Sequence, residues 1–444
     1  MSGRPARGSI GVGLIGLGTI GTGVVKVLRR NALVIRKRLG FPLELVRVAD
    51  LDLARDRGVD LSGVRFDSDA EGLVADPRVA IVVELIGGYD AARRIILRSI
   101  EAGKHVVTAN KALLAVHGAE IFEAAERRGV DVAFEASVGG GIPILRSIRE
   151  GLAANRILSL HGILNGTTNY VLTQMEQTGE PFEAVLARAQ QLGYAEADPS
   201  LDVDGIDAAH KLTILAAMAF GARISFKEVP AEGIRGLLPL DLLAAREFGY
   251  RVKLLGIAKA HEASGRIEVR VHPTFVSESS LLAKVDGAMN AVAVTGDAVG
   301  PTLFYGAGAG ELPTASAVVA DLIEIAREIR RGSSGRVAPL SYLPESLEPR
   351  PLVPLGELHA SCYLRFTAQD RPGVLGHLAG VLGQHAIGIE SVIQKGRGGE
   401  ERSVPVLVKT HPASERSVRQ ALEAIDRLPD VTAPTRMIRI EEGL

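Results

Sequence analysis

SIGVGLIGLGTIG, Ser9 to Gly21, decides the fold of this chain. Ser9 to Ile15 is a short apolar run that reads as a buried strand, and Gly16, Gly18 and Gly21 follow it in GxGxxG spacing. TGVVKVLRRNALVIRKRLG then reads as one long helix, and LELVRVAD, Leu43 to Asp50, as a second buried strand ending in an acid. In that setting the first glycine permits the tight turn, the second lets main chain approach a pyrophosphate, and the third lets helix pack on strand. The helix start at Thr19 and Ile20 offers free N–H groups and a dipole end that favours anions. A dinucleotide site is therefore expected at Gly16, Gly18, Thr19, Ile20 and Gly21. Asp50 stands where an acid accepts the adenosine ribose hydroxyls and opposes a 2′-phosphate, which favours NAD over NADP. Arg55 and Arg57, a turn further on, read as solvated loop arginines that could still reach a phosphate.

The same alternation continues downstream. VAIVVELIGG (Val79 to Gly88), GKHVVTANKALLA (Gly103 to Ala115) and VDVAFEASVGGGIPILRSI (Val130 to Ile148) each place a strand before glycine or polar residues and then a helix. Strand–helix alternation means a doubly wound parallel sheet, and ligands bind beyond the C-terminal strand ends. Gly87, Gly88, Thr108, Asn110, Lys111 and Glu135 fall there.

A different signal lies in GYAEADPSLDVDGIDAAHK, Gly193 to Lys211, which crowds Glu196, Asp198, Asp202, Asp204 and Asp207 ahead of one lysine. Asp204 reads as the N-cap of an apolar helix over IDAAHKLTILAAMAF, with Asp207 and Lys211 four apart on one face. Alone, such a pair is an ordinary surface ion pair. Beside further carboxylates it is placed to bind a polar substrate and move a proton. Gly306, Gly308 and Gly310 then form a loop that admits close approach before another long helix.

Length and composition bound the remaining choices. A chain of 444 residues predicts two or three domains, each with its own core. Lys+Arg 51 against Asp+Glu 52 leaves a net charge of -1, which argues against a nucleic-acid or anionic-membrane binder. A single cysteine, Cys362, excludes an intrachain disulfide framework and a cysteine-based zinc site, and fits a reducing cytoplasm. No signal peptide or transmembrane run is read. Ile267 to Thr295 alternates with period two and carries turn residues, which suggests a mixed or antiparallel sheet. Gly332 to Gly356 is rich in Pro, Ser and Gly and reads as a linker. Beyond it the order strand, helix, strand, loop KGRGGEERS, strand, helix, strand gives a ferredoxin-like βαββαβ module.

These stretches together resemble homoserine dehydrogenase. The resemblance rests on GLIGLGTIG, VVELIGG, GKHVVTANKALLA, FEASVGGGIPI, LNGTTNYVL, GYAEADPSLDVDGIDAAHKLTIL and GAGAGELPTASAVVADL, spread over nearly the whole chain. DRPGVLGHLAGVL resembles the opening of an ACT domain, a module that senses small effectors. The resemblance implies reversible NAD(P)H-dependent reduction of L-aspartate 4-semialdehyde to L-homoserine, on the route to threonine and methionine. It implies Lys211 as acid–base group, Lys111 as second lysine, and Asp207, Asp202, Glu196 and Tyr194 as substrate contacts. Thr108, Lys111, Gly87 and Gly308 match cofactor contacts. Glu135, Val138, Gly140 and Ile142 match a site for a monovalent cation, usually sodium. Many members carry arginine where Ala49 precedes Asp50, so NAD is favoured here with dual use open. The expected organisation is a Rossmann-like domain over 1–140 completed by helix 311–331, and a mixed-sheet catalytic and dimerisation domain over 141–310. A linker over 332–356 and an ACT regulatory domain over 357–444 complete it. A homodimer or homotetramer and threonine as effector follow by analogy. The rival readings are another amino-acid dehydrogenase on this scaffold and a non-catalytic amino-acid sensor.

Overall fold

The structure, a computed structural model, describes residues 8–394 and 403–444. The loop KGRGGEERS lies outside them except for its last residue. The chain divides into two compact units, one of residues 1–166, 207–229 and 289–350, the other of residues 167–206, 230–288 and 351–444.

The first unit is built on six strands: β1 Ile10–Ile15, β2 Leu43–Ala49, β3 Arg65–Asp67, β4 Ile81–Glu84, β5 His105–Thr108 and β6 Val132–Ala133. They form one sheet in the order β3-β2-β1-β4-β5-β6 with every neighbour parallel. This is the dinucleotide-binding order, with its switch point between β1 and β4. Strands β1 and β4 are buried along their whole length, which is why their sequences carry no polar residue except Glu84 at the end of β4. The expected single helix after the glycines is two, Thr19–Arg30 and Ala32–Leu39, interrupted where Asn31 leaves helical geometry at ψ 12. Helix Glu311–Arg331 sends Ala315, Val318 and Leu322 into the same core as Val12, Val24 and Leu28. The unit also holds an antiparallel sheet of Ile157–Ile163, Met289–Gly296 and Gly300–Ala307.

Gly16 shows why this corner demands glycine. Its φ is +96°, and an added Cβ would lie 2.7 Å from the Leu85 carbonyl oxygen. Left-handed strain at a non-glycine residue costs about 1–3 kcal/mol before any clash. Gly16→Ala is therefore expected to lower the unfolding temperature and to weaken dinucleotide binding. A calorimetric scan and a cofactor titration that both match wild type would contradict this.

In the second unit Tyr250–His261 and Arg266–Ser277 pair antiparallel over their full length. The expected period-two exposure is absent from Arg266–Ser277, which is buried at all positions between its ends, because both faces of this strand are covered. The C-terminal module runs Cys362–Gln369, helix Val374–Gln384, Ile389–Gln394, Ser403–Thr410, helix Glu415–Ile425 and Val431–Glu441. Its core packs Leu364, Phe366, Leu378, Leu382, Val418 and Ile425. This module is not set apart from the hairpin. Thr274–Val276 pair in parallel with Arg439–Glu441. Tyr363 Oη and Arg365 Nε both donate to the fully buried Asp241 carboxylate, at 2.9 and 2.7 Å. The Pro-rich stretch is also ordered: Glu348 and Pro349 pair with Ala222 and Arg223 in the first unit, and in the second Val353 N–H donates to the Ile267 carbonyl. Among the described residues no helix is long and apolar enough to cross a membrane.

Candidate active site

The glycine turn after β1 leaves room for a ligand where one is expected. A Cβ added at Gly18 meets nothing within 4 Å, whereas one at Gly21 would lie 2.1 Å from the Gly16 carbonyl oxygen. Gly18 is thus the position of open approach and Gly21 the position of close packing. Helix Thr19–Arg30 starts with no side-chain cap and no acid in its first turn, which suits a bound anion. Gly87 and Gly88, past β4, have φ of +70° and +72° and open space at the Cβ position. These features fit the pyrophosphate and adjoining ribose of a nicotinamide dinucleotide.

Asp50 is occupied differently from its expected role as a bare ribose acceptor. Its carboxylate accepts from Leu17 N–H (2.5 Å), from Asp52 N–H (2.8 Å) and from Arg57 Nη2 (3.0 Å). Arg57 is not a solvated loop arginine. Its side chain is only 6% exposed, its Nε donates to the Leu17 carbonyl at 2.7 Å, and it lies over the Phe66 ring. This one neutralising partner is not legible in the strand pattern, because Arg57 comes from the loop after the strand.

Thr108, at the end of β5, is fully buried, and its hydroxyl donates to Glu84 Oε2 at 2.6 Å. The other Glu84 oxygen accepts from Ile86 and Gly87 N–H. Burial pushes the Glu84 carboxyl above its ordinary value, and these three donors oppose the rise. Thr108 therefore acts on the Gly87 turn through Glu84, with its hydroxyl already spent. Asn110 caps helix Lys111–Arg128 through Leu113 N–H and ties down the Gly88 carbonyl.

The lysines converge on Asp207. Lys211 Nζ donates to Asp207 Oδ2 at 2.7 Å and to the Leu164 carbonyl at 2.7 Å. Lys111 Nζ lies 3.2 Å from Asp207 Oδ1, and Asn165 Nδ2 donates to Oδ2 at 2.9 Å. Lys211 is 9% exposed, whereas the Lys111 side chain is 41% exposed. Burial alone would raise the Asp207 pKa, but the charges of Lys211 and Lys111 and the hydrogen bonds from Lys211 and Asn165 hold it well below the carboxylate range. The helix carrying this pair is Ile206–Phe220, as expected, but Asp204 does not cap it. Asp204 closes the short helix Ser200–Val203 and accepts from Arg235 Nε at 2.5 Å, because Gly205 at φ +83° turns the chain between the two helices. His210, next to Lys211, is buried and stacked on Phe226 at 4.2 Å, and burial lowers its pKa.

Tyr194, Glu196 and Asp202 belong to the second unit. Tyr194 is stacked on Tyr170 at 4.6 Å, Glu196 is exposed, and Asp202 is half-buried in helix Ser200–Val203. Gly308 packs so closely that an added Cβ would fall 2.0 Å from Asn290 Cγ. Glu135, Val138, Gly140 and Ile142 are each buried, in the stretch from the 3-10 helix Glu135–Ser137 to the loop after it. The Glu135 carboxylate accepts from Leu145 N–H (3.0 Å) and Arg146 N–H (2.8 Å). Burial, with the neighbouring Asp321, pushes it up to about 7. Among the described residues no three His, Cys, Asp or Glu side chains converge on a metal position. A cation here would rely on main-chain oxygens, a donor set suited to a hard ion.

Residues 16–135 match the family model described as homoserine dehydrogenase, NAD binding domain, residues 143–323 that of homoserine dehydrogenase, and residues 363–430 that of the ACT domain. A homoserine dehydrogenase of Pseudomonas aeruginosa is 47% identical over 433 residues, which is 97% of this chain and 98% of that one. The chain belongs to the homoserine dehydrogenase family. The crystal structure of a homoserine dehydrogenase from Thiobacillus denitrificans matches with a TM-score of 0.92 at 48% identity, covering 98% of this chain and 99% of that chain. A hyperthermophilic archaeal homoserine dehydrogenase in complex with NADPH matches with a TM-score of 0.60 at 25% identity, over 71% of this chain and 97% of that one. The chain is accordingly a nicotinamide-dependent oxidoreductase of the family, and neither rival reading is favoured. The contacts that the sequence does not reveal are Asn165, Leu164 and Glu84, while Arg57 reads there only as a loop arginine within reach of a phosphate. Asn165 was legible only as half of an Asn-Gly turn, and Leu164 contributes a carbonyl, which no side-chain pattern reveals.

Proposed function

We propose that the chain catalyses the reversible reduction of L-aspartate 4-semialdehyde to L-homoserine, with Lys211 as the acid–base group at the substrate C4 oxygen. What carries this reading is the nearly buried Lys211 ammonium, whose three N–H donors face two protein acceptors, Asp207 and Leu164. The third donor is left for a substrate oxygen. The nicotinamide, when bound, supplies or takes up the hydride. In the reducing direction Lys211 donates its proton to the developing alkoxide, and in the oxidising direction the neutral amine takes it back. Asp207 stays ionised throughout, so it orients Lys211 and does not itself deliver the proton. Lys111, more exposed on the other oxygen of Asp207, is proposed to hold the substrate. Glu196, Asp202 and Tyr194 are proposed as substrate contacts on the family resemblance.

The cofactor is proposed to be NAD by preference, with NADP accepted. Asp50 opposes a 2′-phosphate, but Arg57 at 3.0 Å offsets that charge and is itself a phosphate donor. Arg57→Ala is expected to lower kcat/KM for NADP by about tenfold, the size of one charge-assisted hydrogen bond, with a smaller change for NAD. Equal losses with both cofactors would contradict that role. A monovalent cation, sodium by family usage, is proposed at Glu135 with the main-chain carbonyls of Val138, Gly140 and Ile142. Threonine is proposed as effector of the ACT domain, the assembly as a homodimer or homotetramer, and the location as cytoplasmic. The test of the reading is the initial rate of L-homoserine oxidation with NAD and with NADP, with and without L-threonine. Turnover with either cofactor supports it, and cofactor binding without turnover sinks it.

A further inference from the structure

The helices Lys111–Arg128 and Ile206–Phe220 carry the two lysines near their starts. Further along, the same two helices line a cavity of about 510 Å³ within the first unit. Leu114, Gly118 and Phe122 face it from one helix, and Thr213, Ile214 and Ala217 from the other. The opposite wall is supplied by the segments around Phe226 and Tyr342. That wall is held in place. Tyr342 Oη donates to the Ala219 carbonyl at 3.3 Å, and its ring lies where a Cβ on Gly221 would approach to 2.9 Å. Strand pairing of Glu348 and Pro349 with Ala222 and Arg223 fixes the edge.

The charge of this cavity is one-sided. Glu123 is ion-paired with Arg127 at 3.9 Å. Arg223 and Lys227, both exposed lining residues, have no ion pair among the described residues. A concave apolar space of this volume with a few convergent polar groups has the dimensions of a small-molecule site.

We propose that this cavity binds a small amphiphilic anion, with its apolar body between the two helices and its carboxylate or sulfonate on Arg223 and Lys227. The lining helices also carry Lys111 and Asp207, so occupancy bears on their 3.2 Å separation. That second effect rests on the proposed reaction, whereas binding does not.

The test uses the full chain and a fluorescent probe, anilinonaphthalene sulfonate, with decanoate and decylamine as competitors. Saturable dye binding displaced by decanoate and not by decylamine is expected. Ala217→Trp, which fills the cavity, is expected to abolish it. The double variant Arg223→Ala, Lys227→Ala, exposed and tolerant of change, is expected to weaken it by about tenfold. Undiminished dye binding in the double variant would overturn the proposal, as would equal displacement by the amine. Absence of saturable binding would also overturn it. Loss of dye binding as protein concentration and oligomer size rise would instead assign the cavity to a second copy of the chain. These readouts are independent of turnover, so failure here is distinguishable from failure of the dehydrogenase reading.

Discussion

Lys211→Ala is expected to lower kcat for L-homoserine oxidation by about a thousandfold, within the range general acid–base groups contribute, while leaving dinucleotide affinity nearly unchanged. Among the described residues Lys211 hydrogen-bonds to Asp207 and Leu164, and not to Gly16, Gly18 or Gly87 of the proposed cofactor cradle. Removing the ammonium leaves Asp207 still engaged by Lys111 and Asn165, so the carboxylate does not become an isolated buried charge. The fold should therefore survive and the loss should fall on the chemical step. A variant retaining kcat within tenfold of wild type would place the proton transfer on another group, and one that no longer binds NAD would show that the change is not confined to chemistry.

The second large effect concerns the partner. Asp207→Asn keeps the shape of the side chain but removes the charge that Lys211 faces at 2.7 Å and Lys111 at 3.2 Å. Breaking one side of a buried pair commonly costs about 3–5 kcal/mol, because the remaining charge is left uncompensated. The variant should thus be less stable at neutral pH, and its kcat should fall with a rise in KM for homoserine. The pH dependence has a definite sign. The folded-state pKa of Asp207 lies below its ordinary value of 3.8, so its contribution is fully present above that value and disappears as pH falls through the folded pKa. Urea unfolding should show wild type more stable than Asp207→Asn at pH 7, with the gap closing in acid. Equal stability at pH 7 would mean that the ion pair contributes nothing net, and a gap that widens in acid would reverse the assigned direction.

Much of this site was legible from residues alone because its signals are local. The glycines at 16, 18 and 21 follow an apolar strand, so the sequence itself distinguishes turn, approach and packing. Asp207 and Lys211 lie four apart on an apolar helix, and helical spacing alone places them on one face. What stayed hidden depends on contacts distant in sequence or on main chain. The Leu164 carbonyl that accepts a hydrogen bond from Lys211 comes from 47 residues away. Arg57 reaches Asp50 and Leu17 only because the loop after β2 folds back over the glycine turn. Asp204 reads as a cap because Asp before an apolar helix is a strong local signal, while the left-handed Gly205 that diverts it is one residue of ambiguous meaning. The alternating pattern of Arg266–Ser277 was overridden by tertiary burial, with His272 and Thr274 absorbed into a hydrogen-bonded interior.

The most direct measurement is a crystal structure of the full chain with NAD and L-homoserine bound. The expected result is Lys211 Nζ within about 3 Å of the substrate C4 oxygen, still donating to Asp207. A bound substrate whose C4 oxygen is held by another side chain, with Lys211 directed only at Asp207 and Leu164, would contradict its assignment as the acid–base group.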